Sequence, residues 1–556
     1  MAANFDSLNQ VFLNTFKKKN KGALSAVIFD NEKILFSFYD GVINKEKKLA
    51  PQADSLFMIG SNTKVLTSLG IFRLLEDGKL KLDDPITDFI PEFSVKSRIG
   101  DYPVTVENLL MHRAGIQCDL YPFMVDDKKT YDEMIAGLKE TYRTTVPGTM
   151  FSYSNLGFTL LGIIEERITG KKYYDFIKEV LLDPLGMELY ISPEKALPES
   201  IRDRVAQSYD KKGKRAFDPL AIMYPAGPCT YTTLESLAKI GQLLMNDGEV
   251  NGVRLYKPET IQLMKTLKVG DDLDNSIACI GYGLFHHALN LDYKTGRVLG
   301  HGGNTMYHHS RFDLLPDEKV GVIVFSNFEK APRLTRDIEV ALFNEYLKEE
   351  GFPKKDEPNK KTVDFDPNKY TGKYDSLSGP IEFKVSDKGE LTATIQKIQL
   401  GFKLDEEGWL VATPKALWTR LTPVYKLLNG SRFLQTEYFG NDVLVIEQKG
   451  TKNIIADRYK TPSVNTAWLK AAGTYIPEEK IYKDLISKLI LGLKDGEPIL
   501  TLVEEGQKAD MYLDIVNENE AIVKGFGRNT KQTVFLSDKN GKYSVTIDGV
   551  TFIKKK

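Results

Sequence analysis

Ser61-Asn62-Thr63-Lys64 sets a hydroxyl and an amine three residues apart where an apolar-periodic stretch begins. Residues three apart on a helix share a face, so the Lys64 amine can reach the Ser61 hydroxyl. A serine is a poor nucleophile until a neighbour takes its proton, and a lysine can do so only when burial or nearby positive charge lowers its pKa. A helix N-terminus adds positive potential that favours the developing alkoxide. The spacing alone does not select this pair, because Ser192–Lys195, Ser208–Lys211 and Ser236–Lys239 share it. Two further stretches do. Tyr153-Ser154-Asn155 is the one Tyr-x-Asn in the chain. Its phenol can shuttle a proton, and its amide can hold a substrate carbonyl. His301-Gly302-Gly303 is expected just before a strand, where glycines let a substrate backbone approach and the Asn304 N–H can face an oxyanion, with a second N–H from Ser61. His112, in Leu109-Leu-Met-His112-Arg113-Ala-Gly115, reads as a hydrogen-bonded scaffold residue.

The elements that must position these residues follow from the pattern. Met1 to Lys19 alternates at helical spacing. Ala23–Phe29 and Ile34–Tyr39 read as a hairpin. A helix from Ser61 to about Glu76 stops at Asp77-Gly78. Further helices are expected at about Leu156–Ile168, ending at Gly170, and at about Thr233–Met245. Strands return at Arg311–Leu315 and Val320–Ser326, around the Pro316-Asp317 turn, before a last helix at about Leu334–Lys348. Strands at both ends with helices between predict an α+β fold, one antiparallel sheet closed by N- and C-terminal strands with a helical insertion.

Residues 351–361, GFPKKDEPNKK, read as a linker. Beyond it, short alternating segments are punctuated by Asp387-Lys388-Gly389, Glu407-Gly408, Asn429-Gly430, Asp495-Gly496, Glu505-Gly506 and Asn540-Gly541, a rhythm of antiparallel β barrels or sandwiches. Tyr370-Thr-Gly372-Lys-Tyr374 and Ala472-Gly473-Thr-Tyr475 open two similar units, with a junction at Thr461-Pro462. The division expected is therefore 1–350, a linker at 351–361, and barrels at 362–463 and 464–556.

Ser61-x-x-Lys64, Tyr153-x-Asn155 and His301-x-Gly303, in that order, resemble the three motifs of the class C β-lactamase superfamily, which also holds low-molecular-weight penicillin-binding proteins, D-aminopeptidases and esterases. Ser55-Leu-Phe-Met-Ile-Gly60, Leu82-Asp83-Asp84-Pro85, Leu109 to Gly115, Pro147-Gly148 and Pro225-Ala-Gly227 resemble its supporting signatures. The resemblance covers about Asn4 to Glu349. It implies a β-lactamase-like sheet flanked by helices plus a helical subdomain, with the site in the cleft between. Carried over, it makes Ser61 the nucleophile, Lys64 its base or electrostatic partner and Tyr153 the acid/base, with Asn155, His301, Gly303 and Asn304 on the substrate. His301 stands where β-lactamases carry a lysine, a fixed cation suited to a carboxylate, whereas histidine is largely neutral near pH 7. His-x-Gly is similar to the peptidase and D-aminopeptidase branches. Those carry lipocalin-like C-terminal barrels, which in the family sit over the cleft or mediate oligomers. Residues 362–556 carry no catalytic set of their own and read as one or two structural or homo-oligomer-forming barrels.

The leading expectation is a serine peptidase or amidase acting on short peptides with D-residues. A carboxylesterase or lactone hydrolase using the same acyl-enzyme site, and a non-catalytic sensor or scaffold, are the alternatives. The remaining composition fits this. Of 556 residues, 42% are hydrophobic and 27% charged, with 75 Lys plus Arg against 76 Asp plus Glu, giving net −1. Such a balance offers no basic face for nucleic acid. Cys118, Cys229 and Cys279 make neither a disulfide framework nor a zinc site. His286-His287 and His308-His309 lack matched acidic ligands, so no metal and no cofactor is expected. No stretch approaches the ~20 apolar residues of a membrane span, and the start has no long apolar core. The expectation is a cytoplasmic protein, although a removed signal peptide would leave the same sequence.

Overall fold

The computed structural model describes residues 20–125, 129–217, 229–266, 281–287, 289–355, 366–376, 379–395, 397–438, 441–448, 451–459, 465–483, 486–494, 496–504 and 507–555. The Met1–Lys19 helix, Pro225-Ala-Gly227, Cys279, Thr461-Pro462, Asp495, Glu505-Gly506 and part of the 351–361 linker lie outside the described residues.

The first strands and the last strands of the N-terminal region are strongly β-branched and aromatic, and they pair. Ala23–Asp30 lies between Ile34–Gly41 and Val320–Ser326, and the sheet continues through His309–Leu315 and Val298–Asn304 to Phe285–His287. All pairings are antiparallel. Val320–Ser326 is buried on both faces. Side chains alternate across a strand, so Val320, Val322 and Val324 join the core beneath the helix Pro332–Glu349, with Ile338, Leu342 and Phe343. Ile323 and Phe325 face the other way, toward Leu237, Ile240 and Leu244 of the helix Leu234–Met245. The result is a helix–sheet–helix sandwich. The helix Thr63–Glu76 buries Lys64 through Leu74 apart from Arg73, as a helix must when it is enclosed on nearly every side. It packs with the helix Asn155–Thr169, which Gly170 ends at φ +70°. These, with the short helices Val106–Leu110 and Tyr131–Leu138, form the helical part.

Two closed eight-stranded barrels follow, running from Gly372–Ser376 to Thr451–Arg458 and from Gly473–Pro477 to Val550–Lys554. Each meander closes by pairing first strand with last, at Tyr374↔Arg458 and Tyr475↔Lys554, which abolishes exposed edges. Tyr374, Phe383, Phe402 and Phe433 fill the first barrel.

The second barrel docks on the N-terminal domain through polar contacts. Arg98 donates to Glu520 (2.8 Å) and Thr533 (2.9 Å), and its guanidinium lies 3.4 Å from the Tyr142 ring centroid. Tyr142 Oη donates to Glu520 at 2.9 Å, and Tyr121 N–H donates to Asp548 O at 3.0 Å. The barrels are joined by buried Lys524, with Asp375 at 3.3 Å and Glu497 at 3.4 Å. Hydrogen bonds to charged groups contribute about 1.5–3 kcal/mol each. Arg98→Ala should therefore loosen the dock, and hydrogen exchange along Glu520–Val523 should accelerate at least ~10-fold. Unchanged protection there would contradict this assignment of the interface.

Candidate active site

Ser61 lies in the 3-10 turn Gly60–Asn62, between the strand Phe57–Met58 and the helix Thr63–Glu76. Gly60 takes φ +52°, a conformation suited to glycine. The turn is tied to the central sheet: Asn62 Nδ2 donates to Ser310 Oγ (2.8 Å), which donates to Ile59 O (2.7 Å). Ser61 is partly exposed, whereas Lys64 is fully buried. Lys64 Nζ lies 3.1 Å from Ser61 Oγ and donates to Asn155 Oδ1 at 2.8 Å.

Tyr153 precedes the helix Asn155–Thr169. Ser154 caps that helix by accepting from Gly157 N–H (2.9 Å), and its own N–H donates to His112 Nδ1 (3.0 Å). His112 is itself at φ +54° and stacks 4.4 Å from the Tyr153 ring. This brings the Tyr153 hydroxyl into hydrogen-bonding contact with Ser61 and its ring to 4.9 Å from Lys64 Nζ. His301 closes the far side, 6.1 Å from Tyr153 and 5.0 Å from Phe285 between ring centroids.

One expectation about local structure is corrected. His301-Gly302-Gly303 is not ahead of a strand but inside one, Val298–Asn304, because His301 pairs with Phe312 across the sheet. The glycines are needed there: a Cβ on Gly303 would lie 1.9 Å from Ile59 O and 2.3 Å from Ser310 Oγ. Asn304 faces His309, and Thr305 N–H bonds to His308 O. Hydrogen-bonded and non-bonded pairs alternate along an antiparallel ladder, so the Asn304 N–H points away from its partner strand, and its nitrogen lies beside the Gly60–Ser61 turn. A Cβ on Gly60 would lie 3.0 Å from that nitrogen. Ser61, Lys64, Tyr153, Asn155, His301, Gly303 and Asn304 thus converge. Two of them sit differently from a simple substrate contact. Asn155 spends its amide inside the protein, accepting from Lys64 and donating from Nδ2 to Asp119 Oδ1 (2.7 Å). His301 is only 2% exposed, with Nδ1 2.6 Å from Gly302 O.

Asp119 and Arg528 were not apparent from the sequence. Asp119 is 1% exposed, and Arg528, from the second barrel, donates to its Oδ2 at 2.6 Å. The Arg528 guanidinium also sits 5.3 Å from the Tyr153 ring. Ser152 Oγ donates to Gly527 O (3.3 Å), seating the same loop. The available signal was Gly525-Phe-Gly527-Arg528-Asn529, a run too glycine-rich for a strand and too long for a two-residue hairpin; Gly525, Gly527 and Asn529 all have positive φ.

These surroundings set the charge states. Burial, then the Arg528 charge, pushes Lys64 well below the ordinary lysine range, against Asp119. Burial raises Tyr153, opposed by its Ser61 hydrogen bond and Arg528, so the phenol stays protonated at neutral pH. Burial and neighbouring Lys64 push His112 well down, leaving a neutral ring. Burial works against the Arg528 cation, but Asp119 outweighs it and holds the guanidinium above its usual range. Burial pushes the Cys118 thiol up to about 11, which leaves it inert. Among the described residues there is no cluster of metal-ligating side chains and no helix long and apolar enough to cross a membrane.

The Beta-lactamase family pattern matches residues 4–345. The chain belongs to the beta-lactamase family. It is 29% identical over 342 residues to penicillin-binding protein 4 of Amycolatopsis lactamdurans, covering 59% of this chain and 85% of that one. It is 23% identical over 346 residues to protein flp of Staphylococcus aureus, covering 61% and 66%. Among solved structures, SurE shares the fold at TM-score 0.58 and 18% identity over 82% of this chain and 98% of that one. An octameric penicillin-binding protein homologue from Pyrococcus abyssi does so at 0.51 and 20% over 99% and 100%. The expected family and fold class stand, and two closed barrels are present.

Gly303→Ala should push the strand Val298–Asn304 off the Ser61 turn and destabilise this beta-lactamase-family domain by about 1–3 kcal/mol through overpacking. Thermal unfolding measures it, and an unchanged melting temperature would contradict the close approach.

Proposed function

We propose that this protein is a serine hydrolase that acylates itself on Ser61 and cleaves amide bonds of short peptides carrying D-residues. The observation that carries the reading is a buried, uncharged-leaning amine 3.1 Å from a partly exposed serine hydroxyl. Neutral Lys64 takes the Ser61 proton as Oγ attacks the carbonyl carbon, forming the C–O bond. The Ser61 and Asn304 N–H groups face the oxyanion. Tyr153, protonated and touching Ser61, hands a proton to the departing amine as the C–N bond breaks. Water then hydrolyses the ester with the same groups reversed.

The substrate class rests on the His301-x-Gly303 departure from the lysine of β-lactamases, and on the fold shared with SurE, a structure of which holds D-Leu, at 19% identity. The fold shared with an octameric penicillin-binding protein homologue supports a homo-oligomer as a further reading. Esters need only a better leaving group, so ester hydrolysis is the second reading.

Exposure to a fluorophosphonate or a penicillin should add one adduct to the intact mass, lost in Ser61→Ala. D-Ala-p-nitroanilide and D-Ala-D-Ala peptides should be turned over with kcat/KM above that of their L-counterparts. Lys64→Met should lower kcat by at least ~100-fold, the contribution of a general base. An unlabelled wild type, or an unaffected Ser61→Ala, would remove the hydrolase reading; labelling with turnover of esters alone would replace the peptide reading.

A further inference from the structure

Four polar contacts form an unbroken line from the second barrel to the serine. Arg528 Nη2 donates to Asp119 Oδ2 (2.6 Å), Asn155 Nδ2 donates to Asp119 Oδ1 (2.7 Å), Lys64 Nζ donates to Asn155 Oδ1 (2.8 Å), and Nζ lies 3.1 Å from Ser61 Oγ. Two members are buried charges or charge candidates. Asp119 is 1% exposed and Lys64 fully buried. A buried carboxylate demands a counter-charge, because removing one partner of a buried pair leaves an uncompensated ion. Two groups can serve. One is Arg528, in direct contact; the other is the Lys64 amine, one amide away. If Arg528 serves, Lys64 is released from that duty and can stay neutral. If Arg528 is withdrawn, a proton on Lys64 becomes the cheapest way to balance Asp119.

The other groups facing Lys64 do not change this balance. Tyr153 is protonated, His112 is neutral, Ser61 and Asn155 carry no charge, and His301 stands beyond the Tyr153 ring. Arg528 is also held in place independently of Asp119. Its loop is fixed by Val523 N–H to Gln532 O (3.0 Å), Lys531 N–H to Val523 O (2.8 Å) and Thr530 Oγ1 to Gly527 O (2.7 Å). Phe526 packs edge-on against Tyr438 of the first barrel, 5.8 Å between centroids. Both barrels therefore help to present this cation.

We propose that Arg528 is a positioning residue supplied by the second barrel: it neutralises Asp119 and thereby keeps Lys64 free to accept the Ser61 proton, so that barrel docking is a condition of full activity. The inference rests on the acyl-enzyme reading above. It assigns the barrel an electrostatic role in the site itself.

The test is the pH dependence of Ser61 labelling by a fluorophosphonate in the full-length protein, wild type and three variants. Wild-type labelling at Ser61 establishes the underlying reading by itself; its absence sinks that reading, whereas the variants bear only on Arg528. Arg528→Gln should move the acid limb upward by at least about one pH unit, within the range that a neighbouring charge produces. On the acid side of the shifted limb it should label about 10-fold more slowly than wild type at the same pH, recovering at alkaline pH. Arg528→Lys, which keeps the charge, should restore most of the wild-type limb. Arg528→Gln combined with Asp119→Asn removes both charges and should bring the limb back toward wild type. The double variant also carries no uncompensated buried acid, so it answers the question even if the single variant folds poorly. An acid limb unmoved in Arg528→Gln, or a loss that is pH-independent and persists in the double variant, would overturn the proposal and leave the contact a purely structural one.

Discussion

A lysine amine with no exposure to water, kept next to a serine hydroxyl, is the constraint to which the rest of the structure answers. Burying a charged ammonium is costly unless it is paired, and the alternative is to shed the proton. Burial, helped by the Arg528 charge, decides for the second outcome. The helix Thr63–Glu76 is enclosed in the core, and that desolvation outweighs the ring faces of Tyr153 and Phe158 at 4.9 and 5.7 Å and the Asn155 Oδ1 acceptor, which by themselves suit an ammonium. The nearby carboxylate of Asp119 is already engaged by Arg528.

That requirement explains why segments so far apart in sequence are brought together with such rigid joints. The Ser61 turn is pinned to the sheet through Ser310 and Asn62. The Tyr153 segment is pinned to the His112 loop, where a histidine accepts strain at φ +54° and offers Nδ1 to the Ser154 N–H. Gly303 of the strand Val298–Asn304 allows backbone to meet backbone at Ile59. Each joint replaces a flexible approach by a fixed distance, which is what a proton transfer between serine, lysine and tyrosine needs.

Local patterns carried much of this arrangement. Val320–Ser326, the Gly170 helix stop and the glycine rhythm after residue 366 are short-range signals, and sheet, helices and barrels follow them. The Ser61, Tyr153 and His301 motifs stood out because residue types and order together are restrictive. What escaped the sequence is long-range. Arg528 meets Asp119 across 409 residues, and an arginine in a barrel loop looks like any solvated cation until the loop is docked. The internal use of Asn155 was hidden for the same reason, since its partner Asp119 has no motif of its own. The His-Gly-Gly segment lies inside a strand rather than ahead of one, although glycines disfavour strands; the close approach of Gly303 to Ile59 requires a residue without a Cβ there.

The central claim is that Lys64 is a neutral base at physiological pH. The most direct measurement is the single-turnover rate of Ser61 acylation by the intact wild-type protein as a function of pH. The rate should rise as Lys64 loses its proton and reach its plateau well below the pH at which an ordinary lysine, near 10.4, titrates. A rate that keeps climbing through pH 10 would mean that Lys64 is an ordinary charged lysine, and would contradict the account.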